Sequence, residues 1–160
     1  MSNSDFVYTT YIKTTPEKLW SAITNPEFAR QYWGGNGNFS DWKKGSKWQH
    51  VGATGKDVYC EGEVLECTPP KRLVISWADP GDTKDVSRVS FDIEPVQGLI
   101  RLVVTHGGFI AGSEMRGKIS CGWPLVLSSM KSYLETGTPI DIMAVKGPCG
   151  ATDSDKTAAA

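Results

Sequence analysis

Two histidines, His50 and His106, are the side chains best suited to acid–base chemistry near neutral pH. His106 continues an apolar row on a predicted strand, so we expect its imidazole to face the interior, where it needs a hydrogen-bond partner. It is either a core histidine bonded to a nearby backbone group or a polar contact for a molecule held inside. His50 shares its parity with Trp48, which would place it inside as well and would give a floor of two histidines.

Carboxylates on one predicted strand form a second group that could do chemistry. Glu61 and Glu63 share a face, as pairs of catalytic acids sometimes do. Such a row is more typical of the solvated face of an antiparallel strand. Glu66 is expected on the other face, as an inward acid or as a partner of Arg72 that stabilises the turn.

No motif for nucleophilic, metal-dependent or nucleotide chemistry accompanies these residues. The patterns G-x-S-x-G, H-E-x-x-H, G-x-G-x-x-G and Walker A are all missing. Four widely spaced cysteines form no C-x-x-C pair, which predicts reduced thiols and no zinc site: Cys60, Cys67, Cys121 and Cys149. The sequence thus indicates no catalytic residue, no metal ligand and no cofactor, and it favours a protein that is not an enzyme.

Charge and hydropathy exclude two classes of partner. The 160 residues carry a formal net charge of −1, so no global field favours nucleic acid or an anionic membrane. No apolar stretch approaches the ~18 residues that would span a bilayer. The first residues lack a basic segment followed by an apolar run, so they do not resemble a signal peptide. We therefore expect a cytoplasmic protein with neither nucleic acid nor a membrane as partner.

Six tryptophans fall into two groups. Trp20, Trp77 and Trp123 lie on apolar rows and are explained by core packing. The other three lie around a glycine-rich connection with two further aromatic residues, which makes a group of five: Tyr32, Trp33, Phe39, Trp42 and Trp48. This group is either a lid over the mouth of a cavity or a small cluster that pins a long loop.

Two periodicities organise the rest of the chain. Alternation of apolar and polar residues predicts six strands: Phe6–Lys13, Lys47–Val51, Val58–Cys67, Arg72–Ala78, Val86–Glu94 and Leu99–His106. The connections between the last five are too short for parallel crossovers, so an antiparallel meander is expected. Helical spacing predicts two short helices that meet at Asn25-Pro26.

A long helical segment follows the meander. Apolar residues recur at helical spacing between Ser113 and Glu135. Because Pro124 is best tolerated in a first turn, we expect a break near Cys121-Gly122 and a main helix from there to Glu135. The composition beyond about residue 147 predicts disorder. The expected fold class is α+β, with a curved antiparallel sheet wrapped around a long C-terminal helix, known as the helix-grip fold.

Several segments resemble one protein family in order and spacing. They are Thr15–Trp20 with Ala22–Glu27, Gly62–Glu66, Pro69–Leu73 with Ser76-Trp77, Thr105–Phe109, Gly122-Trp123 and Leu134–Gly137. The chain resembles the activator-of-heat-shock-ATPase-homologue-like branch of the START/SRPBCC superfamily, to which the birch-pollen allergen also belongs. The resemblance implies one helix-grip domain over residues 1–137 and a C-terminal extension over 138–160.

The resemblance also implies a cavity between the sheet and the long helix, which periodicity alone does not show. The expected ligand-binding residues are the five aromatic residues above together with Trp77, Phe91, Leu102, His106, Trp123, Leu127 and Met130. Family members include lipid or aromatic-ligand carriers, polyketide cyclases and a co-chaperone domain. The expected function is binding of a small hydrophobic molecule, without catalysis or with weak catalysis. The alternatives are a module that stimulates a chaperone ATPase and a cyclase or hydrolase that uses His106.

Overall fold

The structure is a computed structural model that describes residues 4–145. The predicted disorder beyond residue 147 and the prediction for Cys149 lie outside the described residues. The elements in chain order are β1 Phe6–Ile12, α1 Pro16–Thr24, α2 Pro26–Tyr32, β2 Gly37–Ser40, β3 Lys47–Val51, β4 Val58–Thr68, β5 Arg72–Trp77, β6 Ser87–Val96, β7 Leu99–Gly107, α3 Met115–Thr136 and a 3-10 turn at Ile142–Ala144.

All seven strands form one antiparallel sheet in the order β1-β7-β6-β5-β4-β3-β2. The predicted α+β helix-grip arrangement is confirmed, with two short helices after the first strand and a long helix after the last. The sequence did not predict β2, because Gly37–Ser40 belongs to a segment rich in glycine and asparagine. Asn38 of this short edge strand pairs with His50 of β3.

The alternating rows face the interior as predicted. Leu73, Ile75 and Trp77 of β5 are buried, and so are the corresponding rows of β6 and β7. On the outer face Arg72 bonds both Glu66 and Asp92. Glu66 is therefore the surface partner of Arg72, not an inward acid. Its face changes because the register of β4 against β5 shifts between Val64 and Glu66.

The short helices begin at the predicted signals. Thr15 caps α1 by accepting a hydrogen bond from the Lys18 amide, and Pro16 follows in the first turn. The side-chain oxygen of Asn25 accepts from the Glu27 and Phe28 amides and caps α2. Because Asn25 itself is extended, α1 ends there and α2 leaves in a new direction.

Helix α3 is continuous from Met115 to Thr136, so the predicted break near Cys121-Gly122 is wrong. Pro124 lies inside the helix, where it lacks an N–H for the carbonyl of Ser120. Buried side chains on both sides of the proline, among them Ile119 and Val126, pack against the sheet and keep the two halves in line. The predicted stop is confirmed, because Gly137 ends the helix with φ of 80°.

One glycine allows the sheet to bend sharply. A Cβ placed on Gly62 of β4 would lie 2.0 Å from the carbonyl oxygen of Ser76 in β5. The Ser76 hydroxyl accepts a hydrogen bond from the Glu63 amide at 2.8 Å beside this contact. Only a residue without a side chain permits so close an approach of two strands.

The free edge of β1 is partly covered by basic side chains of α3. Lys131 Nζ donates to the carbonyl of Tyr11 at 2.6 Å, and Arg116 Nε donates to the carbonyl of Ser4 at 2.8 Å. Unpaired carbonyl groups on an edge strand are sites for unwanted pairing with another chain. One of these bonds satisfies a carbonyl group near the end of β1, and the other satisfies a carbonyl group just before the strand begins.

The cysteines differ from one another. Cys60 and Cys67 are free thiols, and burial raises the pKa of Cys60 well above its usual range, with a contribution from nearby carboxylates. Cys121 is disulfide-bonded, so the prediction of reduced thiols is wrong at that position. Between residues 4 and 145 we find no helix that is both long and apolar enough to cross a membrane.

Candidate functional site in the aromatic interior

A small cavity lies between the sheet and the two short helices. Its volume is about 10 Å³, which is the space of roughly one water molecule. Apolar side chains and one asparagine line it: Ile23, Trp33, Asn38, Trp42, Trp48, Leu73, Ile75, Trp77 and Phe91. The space that these side chains enclose is therefore almost completely filled.

Several aromatic rings of the interior contact one another. The ring of Trp123 lies 5.4 Å from that of Trp77, 5.8 Å from Phe91 and 5.9 Å from Trp33, measured between centroids. Trp48 adds a further contact with Trp77 at 5.0 Å. These tilted and edge-to-face arrangements are the favourable geometries for aromatic pairs. Helix α3, helix α2 and the sheet thus meet through one aromatic cluster.

His106 is fully buried and both of its ring nitrogens are occupied. The indole N–H of Trp123 donates to Nδ1 at 3.0 Å. Because an indole N–H can only donate, Nδ1 carries no proton, and Nε2–H donates to the Ser87 hydroxyl at 2.7 Å. Ser87 in turn donates to the carbonyl of Trp77 at 3.1 Å. This chain of hydrogen bonds fixes a single neutral tautomer.

The setting of His106 does not suit acid–base catalysis. Burial lowers its pKa to about 3, so the ring stays neutral near pH 7. Neither nitrogen is free to contact a guest. Of the two interpretations from the sequence, the core histidine describes His106, although its partners are side chains and not a backbone group.

His50 is also buried but only one of its nitrogens has a partner. Asn38 donates its amide to the carbonyl of Ile23 at 3.1 Å, so its side-chain oxygen points to His50 and accepts from Nδ1–H at 2.7 Å. Nε2 then holds a lone pair, and it has no hydrogen-bond partner. Burial lowers the pKa of His50 to about 3. His50 faces inward as expected from its parity with Trp48, and it lies beside Trp33, with 4.5 Å between the ring centroids.

Trp33 lies where helix α2 ends and a pair of glycines begins. It is the C-cap of α2, and its side chain is only 3% exposed. Gly34 and Gly35 follow with φ of 60° and 87°, a conformation that glycine adopts without strain. Trp33 contacts His50 on one side, Trp123 on another, and the small cavity.

Trp42 covers the cavity from the outer side. Its indole N–H donates to the carbonyl of Thr24 at 2.8 Å, and its side chain is half-buried. Its φ of 53° is unusual for a bulky residue and indicates local strain, which often marks a functional segment. Phe39, by contrast, is 38% exposed and lies under the guanidinium of Arg30 on the outside of β2.

The structure brings together some of the twelve predicted ligand-binding residues and separates others. Five of them line the small cavity: Trp33, Trp42, Trp48, Trp77 and Phe91. Six are buried elsewhere in the core: Tyr32, Leu102, His106, Trp123, Leu127 and Met130. Phe39 is on the surface. Sequence reasoning missed Ile23, Asn38, Leu73 and Ile75 as lining residues, although Leu73 and Ile75 share the predicted inward row of Trp77.

A second depression lies on the outer face of the sheet. Its volume is about 400 Å³, it is open, and polar residues such as Lys47, Glu61 and Glu63 line it. Hydrogen bonds from the Gly81 amide and Gln49 hold the pKa of Glu61 below its usual range. Glu61 and Glu63 therefore belong to the solvated face. Residues 4–145 contain no cluster of three or more His, Cys, Asp or Glu side chains that could hold a metal ion.

Three solved structures illustrate what the chain is similar to. A protein from Mesorhizobium loti has 26% sequence identity and a TM-score of 0.69, with 82% of this chain and 96% of that chain covered. Aha1 from Colwellia psychrerythraea, solved as a dimer, has 21% identity and a TM-score of 0.67, with 84% and 98% covered. An HSP90 activator from Plasmodium falciparum has 24% identity and a TM-score of 0.62, with 74% and 86% covered.

Comparison of sequences gives the family. No curated protein matches the chain. The sequence profile described as "Activator of Hsp90 ATPase homolog 1-like protein" matches residues 13–135, which include both short helices, the meander and almost all of α3. The chain belongs to the family of activator of Hsp90 ATPase homologue 1-like proteins.

Proposed function

We propose that the protein binds a flat aromatic molecule of one or two rings in its interior, in the place that the Trp33 indole occupies here. The observation that carries this proposal is the position of Trp33, between a residual cavity, a buried histidine and a pair of glycines with positive φ. An indole-sized guest could enter this space if the Trp33 side chain swung outward.

The size of the cavity makes such an exchange necessary. A space of about 10 Å³ holds no organic molecule, so a guest must displace a side chain. A guest that replaces Trp33 would contact the rings of Trp123 and His50 in its place. Burial of the guest would contribute about 25 cal/mol for each Å² of apolar surface removed from water, against the cost of exposing one indole. Long acyl chains fit this space less well than compact rings.

Fluorine NMR of protein labelled with 5-fluorotryptophan tests the proposal, because each of the six tryptophans gives its own signal. Titration with naphthalene should saturate, and the Trp33 signal, assigned by Trp33→Phe, should become accessible to a soluble paramagnetic probe. The Trp77 signal is the internal control and should stay protected, since Trp77 lies on the floor of the sheet. Dodecanoate should bind more weakly than naphthalene. Absence of saturation with every compound, or a Trp33 signal that stays protected at saturation, would show the proposal to be wrong.

A second candidate function is stimulation of a chaperone ATPase. Family membership and the likeness to an HSP90 activator support it, and an interior that is filled without a guest is compatible with it. The test is the ATPase rate of an Hsp90-class chaperone with and without the protein. The same rate is then measured with saturating naphthalene. If the stimulation of the ATPase is unchanged by naphthalene, this function is separate from ligand binding.

The third function, a cyclase or hydrolase reaction with His106 as general acid or base, has no support in the geometry. Trp123 and Ser87 occupy both ring nitrogens of His106. A proton donor or acceptor needs a free position within hydrogen-bond reach of the substrate.

A further inference from the structure

Among residues 4–145, three buried side-chain atoms have no hydrogen-bond partner, and of these only His50 Nε2 belongs to a fully buried residue; the other two are Thr14 Oγ1 and Arg30 Nε. His50 Nε2 is buried and has no hydrogen-bond partner, whereas both nitrogens of His106 are satisfied. The tautomer follows from the neighbours. Asn38 gives its amide to Ile23, so only its oxygen is left for Nδ1, and Nε2 must be the acceptor.

Neighbouring side chains that could donate do not reach this acceptor. Cys60 is opposite His50 in the register of β3 and β4, and its thiol makes no bond to Nε2. The ring of Tyr59 lies 6.3 Å from that of His50, and its hydroxyl is placed over Gly52. A buried acceptor left in this state destabilises the empty protein. The site therefore favours a donor that comes from outside the chain.

Burial selects the kind of donor. It lowers the pKa of His50 to about 3, so the ring is a neutral acceptor near pH 7. A charged ammonium group would lose its hydration in this apolar setting, whereas the smaller hydration loss of a hydroxyl or ring N–H is offset by its hydrogen bond to Nε2. An aromatic body is favoured as well, because the His50 ring already lies against the Trp33 ring at 4.5 Å.

We infer that His50 Nε2 accepts a hydrogen bond from the guest, and that the guests of this protein are neutral aromatic molecules that carry a hydroxyl or ring N–H, such as phenols, naphthols and indoles. This inference rests on the proposed function, since a guest in the place of Trp33 lies against the imidazole of His50. It adds a polar requirement that the apolar walls alone do not impose.

The test compares two ligands in two proteins. 2-Naphthol and naphthalene differ by one hydroxyl, and His50→Phe keeps a flat ring but removes the acceptor. The loss of the Nδ1 bond to Asn38 affects both ligands alike. We expect the ratio of the two dissociation constants to shift by about tenfold against 2-naphthol in the variant, as the loss of one buried hydrogen bond predicts. In the wild-type protein, the ¹⁵N signal of His50 Nε2 should move upfield when 2-naphthol binds and should stay in place with naphthalene.

Each contrary outcome has its own meaning. If naphthalene saturates the protein but the ratio is equal in both proteins and the Nε2 signal does not move with 2-naphthol, the polar anchor is wrong and the proposed function stands. If neither ligand saturates, both fail. If Nε2 already has a hydrogen-bonded ¹⁵N shift in the empty protein, a buried water fills the position and the inference is overturned. The wild-type NMR measurement decides the matter even if His50→Phe does not fold.

Discussion

The indole N–H of Trp123 donates to Nδ1 of His106 across 3.0 Å and so joins α3 to β7. Apolar contacts tolerate small rotations of a helix, but a hydrogen bond between two rigid rings does not. The bond therefore fixes how α3 is turned against the sheet. It also explains why an imidazole occurs on an otherwise apolar row, because a hydrocarbon side chain there could not accept the indole proton.

Two substitutions of Trp123 should separate the contribution of this hydrogen bond from that of the buried ring. Trp123→Phe keeps a ring but leaves His106 Nδ1 without its donor, and we expect a loss of about 1–3 kcal/mol in the free energy of unfolding. Trp123→Ala should cost about 3–5 kcal/mol, as should Trp77→Ala. Urea denaturation measures these values. Val7→Ala, at a position 58% exposed, is the control and should stay within about 0.5 kcal/mol.

Stability should fall as the pH drops from 7 to 5. Burial lowers the folded-state pKa of both His50 and His106 to about 3, whereas the unfolded value is about 6.5. Between pH 3 and pH 6.5 the unfolded chain binds more protons than the folded protein. The contribution of each neutral histidine to the free energy of unfolding is therefore fully present above pH 6.5 and is lost as the pH falls towards 3. The expected loss is about 2 kcal/mol for each histidine between pH 7 and pH 5. Urea midpoints that do not change over this range would contradict the burial of both rings in their neutral form.

Two glycine-to-alanine changes should have opposite effects. Gly62→Ala places a methyl group against the Ser76 carbonyl and should destabilise the protein by at least about 2 kcal/mol. Gly117→Ala is the matched control, because a Cβ on this exposed helical residue meets nothing within 4 Å. It should stabilise α3 by about 0.5–1 kcal/mol. Thermal denaturation of the two variants measures both effects, and a tolerated alanine at position 62 would mean that the sheet does not bend as described.

The protein should self-associate through the edge of β1 when the basic side chains that cover this edge are removed. Lys131→Met together with Arg116→Met removes the side-chain donors to the carbonyl groups of Tyr11 and Ser4, and we expect self-association that rises with protein concentration. Sedimentation velocity measures it. Lys118→Met together with Lys44→Met removes the same number of charges and is the control, since Lys118 pairs with Asp79 and Lys44 is exposed. Equal association of control and double variant would assign the effect to charge alone.

Local patterns were sufficient to predict most of the fold. Residues close together in the chain determine the strands with alternating apolar and polar residues, the cap at Asn25 and the helix end at Gly137. Strand β2 was missed because Gly37 and Asn38 have low strand propensity, and pairing with β3 decides its conformation. The break at Pro124 was wrong because tertiary packing outweighed the local cost of the proline.

The interior could be predicted only in part. Parity placed His106 and Trp77 inside, but the partners of His106 lie 19 and 17 residues away in the chain, at Ser87 and Trp123. The sequence left Trp33 as either a lid or a loop anchor, whereas it is buried against His50. The volume of the cavity depends on how large rings pack to within fractions of an ångström, which no pattern of residue types contains.

The contact between Gly62 and Ser76 also bears on how much the interior can hold. β4 belongs to two halves of the sheet, one with β3 and β2 and one with the strands from β5 to β1, and the two halves meet where this glycine lies. The angle between the halves is thus limited by two main chains in contact, and the Ser76 carbonyl at this contact also accepts the indole N–H of Trp48 at 2.7 Å. A family member with a bulkier residue at this position would have to open that angle, and its sheet would form a shallower and wider cup around the same helix.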